Sequence, residues 1–134
     1  MGDNVRDLDA LIGQAGARTV LYMTWARADT PEMQTAISAA YAESGQQVGA
    51  TVVPAGLAWQ FCLAQEPQII LHDGDGSHPT LAGSYLAACA FYKVLFAGRA
   101  KKIPTLDIAV PEAEQLAIQE CARQAVNAFI KGAF

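Results

Sequence analysis

Residues 73–88 read DGDGSHPTLAGSYLAA, which places two aspartates, three glycines and two serines around a single histidine. Three chemistries fit such a stretch. Calcium is the first: Asp73, Asp75 and Ser77 fall at the alternate positions of an EF-hand loop. However, His78 stands where the sharp turn needs glycine, and Ser84 where a bidentate glutamate is required. The second is a transition metal on His72, Asp73, Asp75 and His78; the ligand types suit, but no further cluster in the sequence completes a shell, so no metal is expected. The third is an acid–base pair. Three residues apart in a tight turn, Asp75 can accept a hydrogen bond from one ring nitrogen of His78, fix the tautomer, and leave the other nitrogen to take a proton from a nucleophile. Gly74 and Gly76 let the backbone close around the pair. A helix starting at Pro79 would set His78 near the positive end of its dipole and favour the neutral imidazole. The plain alternative is a capping turn whose histidine only packs.

The run DGSHPTLAGSYLAACAFY, residues 75–92, resembles the segment around the Asp-x-x-His of SGNH (GDSL-like) hydrolases. GARTVLYMTWAR (16–27) and GATVVPAGLAW (49–59) are similar to later strands and loops of a bacterial branch of that family, so the resemblance spans about residues 15–130. It implies that Asp75 orients and His78 acts as general base for a serine that attacks an ester carbonyl. It also implies an α/β fold: an incomplete three-layer α/β/α arrangement, flavodoxin-like, with a short parallel sheet flanked by helices. The family's serine lies in a Gly-Asp-Ser or Gly-Asn-Ser turn after its first strand, and its oxyanion-hole glycine and asparagine also lie upstream of the segment matched here. This sequence has none of those blocks, and in MGDN the position of the serine is taken by Asn4. Ser77 adjoins His78 too closely in the chain; Ser84 and Cys89 fall on the next helix, and Ser38 and Ser44 on an amphipathic one. Cys62 is the remaining substitute. The expectation is a hydrolase fragment or subunit carrying the Asp75–His78 pair, with Trp25, Arg27 and Trp59 forming part of a wall for a small-molecule or carbohydrate ester. The alternative is an inactive oligomeric remnant that serves as a binding module.

The elements that must position these residues alternate. Val5, Leu8, Leu11 and Ile12 recur at helical spacing and Gly16 suits a C-terminal cap. RTVLYMTWA (18–26) reads as a strand buried on both faces. Thr30 and Pro31 read as N-cap and first residue of a helix with a stripe of Met33, Ile37, Ala40, Tyr41 and Val48. GATVVPAG is a second strand, LAWQFCLAQEP a short helix or irregular segment, and residues 68–72 a doubtful third strand. From Pro79 a helix carries Leu81, Tyr85, Leu86, Cys89, Tyr92 and Phe96 to Gly98. Pro104 keeps the following connector irregular, and Pro111 opens a last helix with Leu116, Ile118, Cys121, Ala122, Val126 and Phe129. Such alternation predicts a parallel sheet with ligands beyond the carboxyl ends of its strands, near Thr24, Trp25 and Arg27 and near residues 54–56.

The bulk properties agree. The 134 residues suffice for a single domain, 1–134; 52% are hydrophobic and 16% charged, which excludes a disordered chain. A net charge of -4 and a pI near 5.0 exclude a basic nucleic-acid footprint. Three cysteines without CxxC spacing argue for buried thiols rather than disulfides or zinc. Neither a membrane span nor a signal peptide is visible, so the sequence as written reads as cytoplasmic, and no motif asks for a cofactor. Without upstream strands, TVLYMTW (19–25) would present an apolar edge, so a homo-oligomer or a complex with a missing N-terminal half is expected.

Overall fold

A computed structural model describes residues 2–96 and 102–132 of the chain. Among these residues five helices, α1 (Gly2–Gln14), α2 (Met33–Val48), α3 (Ala55–Gln65), α4 (Leu81–Leu95) and α5 (Glu112–Ile130), accompany two short parallel strands, β1 (Val20–Tyr22) and β2 (Thr51–Val53). Val20 pairs with Thr51, Leu21 with Val52 and Tyr22 with Val53. Helices cover both faces of this ribbon. Leu21 and Val52 point toward Gly45 of α2, where a β-carbon would come within 2.5 Å of Val52 Cγ2. On the other face the ring of Tyr22 meets Phe91 of α4 edge-on at 4.9 Å. The chain is therefore a small α/β fold, dominated by helix.

The core lies where α3, α4 and α5 pack on one another, around Met23, Val53, Trp59, Leu71, Leu86 and Ile118. Cys62, Cys89 and Cys121 sit in it as free, buried thiols. α3 is apolar on most sides and correspondingly buried from Ala55 through Trp59, which is why its periodicity could not separate a helix from an irregular segment.

Several local expectations are corrected. The first strand is shorter than RTVLYMTWA and is not buried on both faces: Val20 is 40% and Tyr22 37% exposed. Residues 68–72 form no strand; His72 makes a single antiparallel bridge with Pro79, while Ile69 and Leu71 are drawn into the core. α2 starts after a turn at residues 30–33, with Thr30 bonded to Asp29 rather than capping. Its fully buried residues are Gln34, Ser38, Ser44 and Gly45; of the predicted stripe, Ile37 and Tyr41 pack half-buried against the core, whereas Met33 turns to solvent. α4 is capped by Thr80, not opened by Pro79, and ends at Leu95; the expected end at Gly98 lies outside the described residues.

Candidate functional site

The loop after Leu71 is closed by its own backbone. Asp73 N–H donates to the His78 carbonyl (2.8 Å) and Gly76 N–H to the Asp73 carbonyl (2.9 Å). Gly76 takes a φ of 66°, in the left-handed region where a side chain would be strained, whereas Gly74 needs no such freedom. Thr80 then ties the loop to α4: its hydroxyl donates to the Ile70 carbonyl (2.7 Å) and accepts from Gly83 N–H (3.1 Å) as the helix cap. The loop is also stitched to the segment that follows β1. Ala28 N–H donates to the Gly76 carbonyl (2.9 Å), and the Trp25 indole N–H to the Ser77 carbonyl (3.0 Å).

Within this frame the two predicted residues meet. His78 Nδ1 lies 2.5 Å from Asp75 Oδ2, and Asp75 Oδ1 accepts the backbone N–H groups of Ser77 and His78, each at 2.9 Å. The carboxylate thus has both oxygens engaged, and Nδ1–H is directed at it, which leaves Nε2 as the basic nitrogen. His78 Nε2 has no hydrogen-bond partner among the described residues, and the side chain is 79% exposed. The hydrogen bond from His78 holds the Asp75 carboxyl far below the usual range, with the two backbone N–H groups adding to it. In return the bond to Asp75 raises the His78 pKa above its ordinary value, and the charge of Arg27 opposes this only weakly. The expected helix-dipole effect toward a neutral ring is therefore outweighed: the carboxylate is in direct contact, and α4 begins only after Thr80.

The other predicted residues lie beside this pair, in a cavity of about 400 Å³ at the carboxyl end of β1. Trp25, Arg27 and Trp59 all line it, with Leu63, Ala64 and His72, whereas Asp75 and His78 do not. The indoles of Trp25 and Trp59 stack at 3.8 Å and 11° between planes. His72 donates from Nε2 to the Ala26 carbonyl at 3.1 Å and meets Trp59 edge-on. Among the described residues no three His, Cys, Asp or Glu side chains gather as metal ligands, so the set His72, Asp73, Asp75 and His78 is not brought together.

No described side chain stands ready as a nucleophile. Cys62 is fully buried, and its thiol is pushed up by its neighbour Cys121 and by burial. Cys89 is likewise buried and raised to about 11. Ser38 and Ser44 are buried on α2, and neither Ser77 nor Ser84 hydrogen bonds to the His78 ring.

Two further residues hold the site: Gln34, which was missed in the sequence, and Gly56, which the sequence placed only at the carboxyl end of the second strand. Gln34, buried on α2, accepts from Ala26 N–H (2.8 Å) and donates to the Thr24 carbonyl (3.3 Å) and the Ser38 hydroxyl (3.1 Å). It pins the segment that carries Trp25. Gly56 packs so closely that a β-carbon would lie 2.0 Å from the Thr24 carbonyl oxygen. The signal for Gln34 was present, as a glutamine one helical turn ahead of Ser38, but polar spacing on a helix ordinarily marks the solvent side.

No protein-family model matches the sequence, and no curated protein does. The chain is similar to a solved structure described as a DUF4886 family protein from Bacteroides uniformis, with a TM-score of 0.75 and 21% identity over the whole of this chain. It spans 59% of that protein's length. At that identity the likeness speaks to fold alone.

Proposed function

We propose that this chain carries the acid–base half of an SGNH-type ester hydrolase, arranged as part of a three-layer, flavodoxin-like α/β/α domain. The observation that carries the reading is the 2.5 Å contact between His78 Nδ1 and Asp75 Oδ2, with Nε2 left facing solvent. In the proposed reaction His78 Nε2 takes the proton of a serine hydroxyl as its oxygen attacks the ester carbonyl. The same proton then goes to the departing alcohol as the tetrahedral intermediate collapses to an acyl-serine. Water, deprotonated by His78, then attacks the acyl-serine, and His78 returns that proton to the serine oxygen as the acid departs. The serine comes from outside these residues, from further polypeptide or a partner chain, since none here meets His78. Trp25, Arg27 and Trp59 flank the small-molecule or carbohydrate ester.

Fluorophosphonate labelling with intact mass and peptide mapping tests this on the protein isolated from its own cells with whatever polypeptide accompanies it. The 134-residue chain by itself should take no label, and an accompanying serine should be labelled only while His78 is present. Labelling that is equal in wild type and His78→Ala removes the pair from the mechanism.

A second reading, a non-catalytic oligomeric binding module, draws on the exposed flank of β1 at Val20 and Tyr22. A symmetric homodimer favours it, because two copies of this chain still lack the serine turn; a hetero-complex favours the hydrolase.

A further inference from the structure

The cavity beside the dyad is built in advance, and most of its polar groups are spent on its own walls; the buried Trp59 indole N–H is the exception, with no hydrogen-bond partner among the described residues. Gln34 holds the backbone at Thr24 and Ala26, His72 Nε2 is committed to the Ala26 carbonyl, and the Trp25 N–H to the Ser77 carbonyl. Around them the lining is largely apolar, Ala28, Pro31, Leu63, Ala64 and the two indoles, with Gln60 as a neutral polar member. One charge remains uncommitted. Arg27 lines the cavity, is exposed, and forms no ion pair or side-chain hydrogen bond among the described residues. The acidic groups around it are engaged elsewhere: Asp29 accepts from Thr30, Asp73 from Gly74 N–H, and Asp75 from His78. A pocket of this size with an apolar wall and one guanidinium recognises a compact apolar body joined to an anionic group.

We propose that this cavity binds small amphipathic carboxylates, the apolar part lodging against Trp25, Leu63 and Ala64 and the carboxylate pairing with Arg27. Should the hydrolase reading hold, the substrates are esters that carry such an acid group. The binding itself does not depend on that reading.

The chain contains two tryptophans, and both line the cavity, so fluorescence excited selectively at tryptophan, with the four tyrosines silent, reports on this site. Phenylacetate and phenylacetamide, equal in shape and different in charge, are titrated against wild type, Arg27→Gln and Arg18→Gln. Arg18→Gln removes the same charge at an exposed position outside the cavity. In wild type and Arg18→Gln, phenylacetate should give a saturable change with an affinity about tenfold above that of the amide. In Arg27→Gln the two ligands should bind alike. The proposal is overturned by equal binding of acid and amide to wild type, by a preference that survives in Arg27→Gln, by its loss in Arg18→Gln, or by no saturable change. Because the readout is binding, failure to hydrolyse any ester counts against the hydrolase alone.

Discussion

At the residue scale, His78 and Asp75 are one unit whose parts titrate in opposite directions. The bond to Asp75 raises the His78 pKa, and a general base needs the neutral ring. On the proposed hydrolase reading, esterase activity of the completed assembly should therefore rise with pH through a midpoint above the ordinary histidine value of about 6.5. Asp75→Asn removes the largest cause of that shift. It should move the midpoint back toward about 6.5 and lower turnover by about 10³–10⁴-fold, as loss of the orienting carboxylate does in related triads. A pH–rate profile, with NMR titration of the His78 ring, checks both. The same shifts bear on folding. The raised His78 value contributes stability in full below about 6.5 and loses it as pH rises through the folded value. The lowered Asp75 value contributes above about 3.9 and loses it as pH falls. The pair supports the fold best between those limits, and its solvent exposure keeps the effect small. This unit was legible in the sequence because its contacts span three residues. Gln34 was not, since its partners come from the loop after β1 and only the fold brings them to α2.

At the element scale, close approaches between helices and loops position the site. A β-carbon on Gly83 would lie 2.4 Å from Trp59 Cη2 and 2.5 Å from the Leu71 carbonyl, so Gly83→Ala must push α4 off the tryptophan that lines the cavity. Gly56→Ala meets the Thr24 backbone in the same way. Each substitution should cost about 1–3 kcal/mol or more, seen as a lower denaturation midpoint in urea. Thr80→Ala removes only the cap of α4 and the tie to Ile70, and should cost about 1 kcal/mol with the urea slope unchanged. The helices themselves were legible where apolar spacing and a terminating residue agree, as at α1, which is followed by Gly16 with a φ of 71°. They were less so at α2, where the most deeply buried residues are polar or small and apolar periodicity finds only the half-buried Ile37 and Tyr41.

At the scale of the whole molecule, β1 pairs only with β2 among the described residues, and its flank presents Val20 and Tyr22 to solvent. α1 adds Leu8 and Leu11, 57% and 61% exposed, and buries none of its residues. Exposed strand edges of this kind recruit further chains. The proposed association should appear in sedimentation velocity as a dimer or larger species, and Val20→Lys should shift it toward monomer with unchanged far-UV circular dichroism. A clean monomer at high concentration overturns it. Among the described residues no helix is long and apolar enough to cross a membrane.

The sequence by itself determined what depends on neighbours in the chain: the Asp75–His78 turn and the alternation of helices with two strands. Tertiary structure alone decided what depends on segments far apart. It placed Trp25 and Trp59, from different elements, in one stack, tied His72 to the Ala26 carbonyl, and drew Gln34 inward to hold a loop. The physical reason is that a local turn is specified by its own hydrogen bonds. The orientation of a helix face is instead chosen by whichever packing satisfies the most buried groups at once, and no single segment carries that sum.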